Sequence, residues 1–256
     1  MLAIKRRELI AQKIKHNEQV TAKELSDQFD VTYETIRRDL IELEEQGEIQ
    51  RTHGGAFYNS VKDYDVDVSS RLVKELESKQ KIAKIARSLV KQNNVIYLDS
   101  STTATEIAKE ICDMKITVVT NSLLTTNLLT EFPNIRTITI GGELDLINHC
   151  FVSYKNNIAS TNYFTQISFV SCRSLCLEHG PMDSNEQLAE IRLAAIKNSR
   201  VSYLIADHTK FNEVSLYKIS SFDDIDGIIT DIKPDEQWIK SQSKLGFKLI
   251  YPNQSF

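Results

Sequence analysis

Residues 20 to 51 contain two short amphipathic segments separated by a tight turn. The first segment begins at Thr21, which stands three residues before Glu24 in the pattern of a capping box. In this motif each side chain satisfies a backbone donor that the start of a helix leaves free. Asp30 lies between the two segments, where a tight turn favours a residue that tolerates a left-handed backbone. The pattern therefore predicts a short helix, a turn and a second helix.

The second segment has one apolar stripe and an opposite polar side. The stripe recurs at the helical spacing i, i+4 and i+7 and consists of Ile36, Leu40 and Leu43. Thr32 stands at the start of this helix, where its side-chain oxygen can accept a capping hydrogen bond. Arg37 and Arg38 fall outside the stripe and are expected to face solvent. Two short helices with a polar outward face follow the helix-turn-helix plan.

Two amphipathic helices are common in proteins, so a DNA-binding function needs further support. Arginine has the fork that binds a phosphate or a guanine edge through two hydrogen bonds. The segment 48–58 alternates weakly around Gly54 and Gly55, which predicts a hairpin that can serve as a basic wing. The residues that we expect to contact double-stranded DNA are Lys23, Thr32, Tyr33, Thr35, Arg37, Arg38, Arg51, His53 and Gly54.

This segment resembles the N-terminal winged helix of the DeoR family of bacterial transcription regulators. The resemblance is carried by Glu24-Leu25, Phe29, Val31, Thr35-Ile36-Arg37-Arg38-Asp39-Leu40, Leu43-Glu44, Gly47, Arg51 and His53-Gly54-Gly55-Ala56. The match is dense and does not depend on one short motif. It implies a sequence-specific DNA-binding domain.

The 256 residues have room for a small domain and a larger one. We predict a winged helix-turn-helix domain over residues 1–58, a linker over 59–70 and a larger domain over 71–256. A net charge of −4 argues against non-specific coating of nucleic acid, so a DNA-binding face must be local. Further cations expected near that face crowd the first predicted helix, Ala3 to His16, and are Lys5, Arg6, Arg7, Lys13 and Lys15. The inward residues of this helix are expected to be Leu9, Ile10 and Ile14.

Several classes of protein are not indicated by this composition. No apolar run is long enough to span a bilayer, and the N-terminus lacks the apolar core of a signal peptide. We therefore expect a cytoplasmic protein without a membrane partner. The four cysteines have no zinc spacing and the histidines are scattered, so we expect no metal and no cofactor.

Beyond the linker, short apolar runs alternate with helical segments. A long helix is predicted over 71–92, with Ile82, Ile85, Ala86, Leu89 and Val90 on one face. Apolar runs then follow at 95–99, 116–119, 135–140, 167–171, 201–206, 227–230 and 247–251. This alternation predicts an α/β domain with a mainly parallel sheet and helices on both faces.

Polar residues follow several of these predicted strands. In such folds ligands bind beyond the carboxyl ends of the strands, and a Ser/Thr loop that opens a helix can hold an anion. An isolated loop of this kind is more often a helix cap, but four polar strand ends at one sheet edge favour a site. The residues expected to bind an effector are Asp99, Ser101, Thr102, Thr103, Asn121, Gly141, Gly142, Asp207 and Lys210.

This larger half also resembles the DeoR family, in its sensor domain, whose fold is similar to that of ribose-5-phosphate isomerases. The matching residues are Leu98-Asp99, Thr102-Thr103, Val119-Thr120-Asn121-Ser122, Gly141-Gly142-Glu143-Leu144, Glu178-His179-Gly180, Glu190, Ala206-Asp207 and Lys210-Phe211. The resemblance implies a phosphorylated sugar as effector. The family usually has glycine at the position of Ser101 and also near Ser153 and Ser174, so we expect an altered or weakened effector preference.

The leading interpretation is a transcription repressor of a sugar-metabolism operon, released from its operator by a phosphorylated sugar. It is expected to act as a homodimer or homotetramer, because two-fold pairing extends one winged helix to a palindromic site. One alternative is a sugar-phosphate isomerase with Asp99 or Asp207 as base and Lys210 as partner, which leaves the winged helix unexplained. Another is a DNA-binding protein whose sensor domain has lost its ligand and only oligomerises.

Overall fold

The computed structural model describes residues 3–17, 19–45, 49–52, 55–58, 68–152 and 163–252. The chain divides into two units, residues 1–66 and residues 67–256. The elements of the first unit are α1 (Ala3–Asn17), β1 (Gln19–Thr21), α2 (Ala22–Phe29), α3 (Tyr33–Glu45), β2 (Ile49–Thr52) and β3 (Gly55–Tyr58). The predicted helix-turn-helix is therefore present as α2 and α3.

Local side chains define the start and the end of α2. The Thr21 backbone N–H donates to Glu24 Oε2 at 2.9 Å, and the Glu24 N–H donates to Thr21 Oγ1 at 3.2 Å. Asp30 ends the helix with φ of 50°. Both the capping box and the left-handed turn residue are confirmed.

A small core holds the three helices of the first unit together. Ile10, Ile14, Leu25 and the stripe residue Ile36 are all completely buried. The predicted inward position of Leu9 is wrong, because its side chain is 37% exposed. The remaining stripe residues are buried as predicted, and are Leu40 and Leu43.

The wing is part of a three-stranded antiparallel sheet rather than a free hairpin. β3 pairs with β2, as expected, and also with the short strand β1, which the sequence pattern did not indicate. A Cβ atom added to Gly55 would lie 2.1 Å from the Val20 carbonyl oxygen and 2.7 Å from Thr21 Cα. Glycine at position 55 is therefore required by the close approach of β1.

The second unit begins with two helices rather than the single long one that was predicted. The chain is helical over α4 (Val68–Val73) and again over α5 (Leu76–Leu89), and Glu75 between them has φ of 52°. The expected inner face of α5 is correct, with Ile82 and Ala86 fully buried. Residues 59–67 of the predicted linker lie outside the described residues, but residues 68–70 are helical and not linker.

A seven-stranded, wholly parallel sheet forms the centre of the second unit, in the order β15-β14-β12-β9-β4-β5-β6. Its strands are β4 (Val95–Leu98), β5 (Thr117–Thr120), β6 (Arg136–Thr139), β9 (Thr165–Ser171), β12 (Ser199–Ile205), β14 (Gly227–Ile229) and β15 (Lys248–Ile250). Its helices, after α4 and α5, are α6 (Thr102–Glu110), α7 (Leu123–Leu129), α8 (Glu186–Lys197) and α9 (Glu236–Leu245). Apolar clusters cover both faces of the sheet, so the predicted α/β architecture is confirmed.

Two small antiparallel sheets, absent from the sequence prediction, lie outside the central one. One is the hairpin of β7 (Glu143–Asp145) and β8 (Cys150–Val152), and the other contains β10 (Ser174–Cys176), β11 (Gly180–Asp183) and β13 (Tyr217–Lys218). Strands of two to four residues carry too little periodicity to be recognised. Within the described ranges, no helix is long and apolar enough to cross a membrane.

Candidate functional site

The outer side of α3 presents polar and basic side chains to solvent. Arg37 and Arg38 are exposed, as predicted, and Tyr33 is 49% exposed one turn before Arg37. Glu34 lies 3.7 Å from Arg37, but both side chains are about 60% exposed, so this ion pair is weak and easily exchanged. The helix therefore offers donors without a large desolvation cost.

The inner side of α3 carries a buried ion pair that the sequence analysis missed. Arg6 donates to both carboxylate oxygens of Asp39, from Nε at 2.6 Å and from Nη2 at 3.2 Å. Arg7 forms an ion pair with Glu42 on the same helix. Arg6 and Arg7 therefore fix α1 against α3, and their expected contribution to the exposed basic face is wrong.

The other predicted DNA contacts lie around the start of α3 and on the wing. The Thr35 backbone N–H donates to Thr32 Oγ1 at 3.3 Å, so Thr32 caps the helix as expected, and Lys23 is exposed on α2. Arg51 lies in β2, but its side chain is outside the described residues. The remaining predictions, His53 and Gly54, also fall outside them.

In the second unit, Asp99 directly follows β4 and is only 1% exposed. Its Oδ1 accepts hydrogen bonds from the Ser101 backbone N–H at 3.0 Å and from Ser101 Oγ at 2.5 Å. Its Oδ2 accepts from the Ser171 N–H at 2.9 Å and from Arg192 Nε at 2.8 Å. These donors fill the acceptor capacity of a carboxylate. Asp99 therefore organises the loop, and the structure does not leave it free for the predicted contacts with sugar hydroxyls.

Arg192 joins Asp99 to the second small sheet. Its Nη1 donates to Asp183 on β11, so one arginine holds two buried carboxylates from distant parts of the chain. Arg192 occupies the buried face of α8, together with apolar Leu188 and Ala195. An arginine within an apolar stripe is the sequence signal that could have identified this group.

Ser101 begins α6 and fits its position without backbone strain. Its φ is −77°, and its Oγ accepts from the Ala104 backbone N–H at 3.1 Å while donating to Asp99. The hydroxyl is therefore used inside the loop. The first N–H groups of α6, which a helix leaves free, remain suited to an anion.

A group of cations, which we call the cation cluster, lies near the carboxyl ends of the central strands. It consists of Arg71, Lys79, Arg173, Arg192 and Lys210. Burial lowers the pKa of Arg71, and the charges of Arg192 and Arg173 lower it further. Burial likewise lowers the pKa of Lys79 to about 8, with a further lowering from Lys210. These shifts show that the cations lie close enough to repel one another.

The carboxylates near the cation cluster, among the described residues, are Asp99, Glu106, Asp145, Asp183 and Asp207. Asp99 and Asp183 are both bound by Arg192, and Asp207 raises the pKa of both Lys79 and Lys210. Burial is the largest influence on Lys210, however, and lowers its pKa. An anion bound here would offset the mutual repulsion of the cations.

Comparison with known proteins extends over both units. Residues 6–62 match the family model of the DeoR-like helix-turn-helix domain, and residues 74–232 match that of the DeoR C terminal sensor domain. The chain belongs to the DeoR family. The resemblance seen in the sequence is thereby confirmed for both halves of the chain.

Relatives that align with this DeoR-family chain over most of its length are named as transcription regulators. The uncharacterized HTH-type regulator YulB of Bacillus subtilis (strain 168) is 34% identical over 94% of this chain and 93% of its own. The L-fucose operon activator of Haemophilus influenzae is 32% identical, covering 88% and 91%. The HTH-type repressor GlcR of Bacillus subtilis is 29% identical, covering 94% and 93%. The protein is therefore a DNA-binding transcription regulator and not an enzyme.

Among solved structures, ribose 5-phosphate isomerase A of Methanocaldococcus jannaschii aligns with 54% of this chain and 55% of its own. The TM-score is 0.41 and the sequence identity is 16%.

Other predicted effector residues of this DeoR-family protein have structural roles. Asn121 is buried, accepts from the Tyr97 hydroxyl at 3.1 Å and donates to the Phe151 carbonyl at 3.1 Å, so it fastens β8 to the sheet. Gly141 and Gly142 are exposed after edge strand β6, and no contact recorded for the described residues links them to the cation cluster.

The remaining predicted positions lie on two other elements. Asp207 is buried and caps the short 3-10 turn that contains Lys210, accepting from the Thr209 N–H at 3.0 Å. Ser174 binds Ser215 at 2.8 Å within the second small sheet. Ser153 lies outside the described residues.

Proposed function

We propose that this regulator is a repressor of a sugar-metabolism operon, and that a phosphorylated sugar releases it from a double-stranded DNA operator. The observation that carries the proposal is the cation cluster at the sheet edge, where the buried Arg71 Nε has no hydrogen-bond partner among the described residues, and burial and neighbouring cations lower the pKa of Arg71, Lys79 and Lys210. A phosphate has the charge and the acceptor oxygens that such a group of donors requires.

The proposed effector contacts fall into two groups, donors for the phosphate and an acceptor for the sugar hydroxyls. The free N–H groups at Thr102 and Thr103 and the amine of Lys210 are suited to the phosphate. Asp207 repels phosphate and suits a sugar hydroxyl, because a carboxylate only accepts hydrogen bonds. Asp99 and Asn121 are positioning groups in this proposal, and Ser101 shapes the loop.

The DNA contacts are assigned to the exposed side of the helix-turn-helix. Arg37 and Arg38 are the main donors, with Tyr33 and Lys23 beside them, and Arg51 is assigned to phosphate contact through the wing. A single winged helix reads a short site, so we propose a homodimer or homotetramer on a palindromic operator. Because both DNA and sugar phosphates are found in the cytoplasm, we place the protein there.

Repression is the simpler of two modes of control. A protein bound over a promoter blocks transcription by occupancy alone, and one relative is named as a repressor. Activation is the second candidate, since another relative is named as an operon activator. A reporter gene placed behind the selected operator distinguishes them, because loss of the protein raises expression under repression and lowers it under activation.

The experiment uses two steps with the same protein. Duplexes selected from a random DNA pool by the purified chain give the operator, and a thermal-shift screen of pentose and hexose phosphates gives the effector. A ligand at about 100 times its dissociation constant adds ~2.7 kcal/mol to the stability of the folded state. Lys210→Ala should remove this shift and leave operator binding intact. If no sugar phosphate shifts melting at millimolar concentration, the oligomerisation-only alternative takes the place of this proposal.

A further inference from the structure

Arg71 is unusual among the cations of the site. Its Nη2 donates to Asn148 Oδ1 at 2.8 Å, in the turn between β7 and β8. Its Nε is buried and has no hydrogen-bond partner within the part of the chain that the structure describes. A buried N–H of a charged group without a partner is costly, so this donor is available for an acceptor that the described residues do not supply.

Arg71 lies on α4, and residues near the cation cluster hold this helix in place by hydrogen bonds. The Arg71 carbonyl oxygen accepts from Lys79 Nζ and, at 3.4 Å, from Thr102 Oγ1. Lys79 also donates to the Lys74 carbonyl. The Val68 backbone N–H donates to the Ile147 carbonyl at 3.1 Å. Two of these donors, Lys79 and Thr102, belong to the cation cluster and to the proposed phosphate loop.

The position of α4 in the chain connects these contacts with the segment between the two units. It is the first described helix after the segment that connects the two units, and it ends at a sharp break. Glu75 has φ of 52° at that break, a conformation that residues other than glycine rarely adopt. α4 is therefore a helix distinct from α5, and the side chain of Lys79 joins the two by hydrogen bonds to the Arg71 and Lys74 carbonyls.

We propose that Arg71 contacts the effector phosphate through its Nε–H, and that α4, seated by the same residue, transmits occupancy of the site to the segment leading to the DNA-binding unit. This inference rests on the phosphorylated effector proposed above. It adds a phosphate contact from α4 to those proposed from the loops that follow the central strands. It also names α4 as the element through which phosphate binding affects operator binding.

The physical basis is a difference in how firmly α4 is held in the anion-free and the phosphate-bound protein. Without an anion, Arg71 is held by Asn148 while Arg173 and Arg192 repel its charge. With a phosphate, the Nε–H gains a charged acceptor and the repulsion is offset. The anion thus holds α4 more firmly in place. A ligand can shift a conformational equilibrium only if it binds one conformation more tightly than the other.

The test compares wild-type protein with Arg71→Lys and Arg71→Gln. Inorganic phosphate and a panel of pentose and hexose phosphates are titrated by calorimetry, and hydrogen exchange is followed at the amides of α4. Matched controls are Arg200→Lys and Arg200→Gln, because Arg200 is exposed at the opposite end of the parallel sheet.

In wild-type protein, we expect the anion to slow exchange in α4 by ~10-fold or more. Arg71→Gln should weaken anion binding by ~10-fold or more, because it removes the charge. Arg71→Lys keeps the charge but cannot reproduce the Nε contact, so it should bind several-fold more weakly and lose the protection of α4. Both Arg200 variants should behave like wild type.

The outcomes separate this inference from the proposed function. If no anion binds wild-type protein, the effector proposal fails and this inference fails with it. If anions bind wild type and Arg71→Lys equally, or bind without protecting α4, only the role of Arg71 and α4 is overturned. Exchange in wild-type protein with and without phosphate needs no variant, so a folding defect of Arg71→Gln leaves the test intact.

Discussion

The two units present their positive charge in opposite ways. Arg37 and Arg38 on α3 lie in solvent, whereas Arg71, Lys79 and Arg192 are largely withdrawn from it. An exposed cation is solvated when its ligand is absent, so it binds DNA through a salt-dependent exchange of counterions. A buried cation has lost that solvation and depends on the groups around it. The first arrangement suits transient binding to a long polyanion, and the second suits a small anion.

The largest expected effect comes from breaking the buried network. Arg192→Leu should lower the free energy of unfolding of the second unit by about 3–5 kcal/mol, because Asp99 and Asp183 stay buried without their partner. Fluorescence of Trp238, the single tryptophan, reports urea unfolding of this unit. The exposed control Arg200→Ala should stay within about 0.5 kcal/mol of wild type. A loss below about 1 kcal/mol would contradict the organising role of Arg192.

The exposed arginines should affect DNA binding without affecting the fold. Arg37→Ala and Arg38→Ala should each weaken binding to the selected operator by about 1–3 kcal/mol. A residue that contacts phosphate should also reduce the slope of log affinity against log salt by about 0.9. Arg200→Ala, which removes an exposed cation from the second unit, is the control. If both arginine variants bind like wild type, the assignment of α3 to the DNA is wrong.

The buried site should respond to pH where the exposed one does not. Burial lowers the pKa of Lys79 to about 8 in the folded protein, below its ordinary value near 10.5. A bound phosphate favours the protonated amine, so the free protein must take up a proton above pH 8. Phosphate affinity should therefore fall as pH rises through 8, approaching about tenfold per pH unit.

Calorimetric titrations at several pH values test this directly, and Lys79→Met should show a shallower fall in affinity near pH 8 than wild type. The same shift also predicts the sign of the effect on stability. Between about pH 8 and 10.5 the unfolded chain holds more protons at this group, so stability relative to Lys79→Met rises with pH. A wild-type affinity that does not change across this range would show that Lys79 takes no part.

The smallest effect concerns a surface pair. Glu34→Gln removes the partner of Arg37, and its effect on stability should be under about 0.5 kcal/mol because both side chains are mostly exposed. Operator binding should strengthen slightly, since a negative charge leaves the DNA-facing side. A stability loss of more than about 1 kcal/mol would mean that this pair is structural and resembles Arg6–Asp39.

Local chemistry made parts of this fold predictable. The capping box at Thr21, the turn at Asp30 and the stripe of Ile36 depend on residues within a few positions of each other. The alternation of strands and helices also predicted the parallel sheet. The break at Glu75 was not predictable, because neither glycine nor proline marks it.

Contacts between distant residues explain what was missed in the site. Arg192 reaches Asp99 across 93 positions, and no periodicity encodes that pairing. Asp99 looked like a ligand because it follows a strand, whereas it is saturated by Ser101, Ser171 and Arg192. Arg71 was recognised only as the start of a helix, since its role depends on the turn at Asn148.

The central claim is that occupancy of the cation cluster is linked to operator binding. One measurement tests it in both directions: the operator dissociation constant with and without a saturating sugar phosphate, and the sugar phosphate dissociation constant with and without operator. Linkage requires the same factor in both, and we expect a weakening of about 5- to 150-fold. A sugar phosphate that binds the cation cluster and leaves operator affinity unchanged would contradict the account.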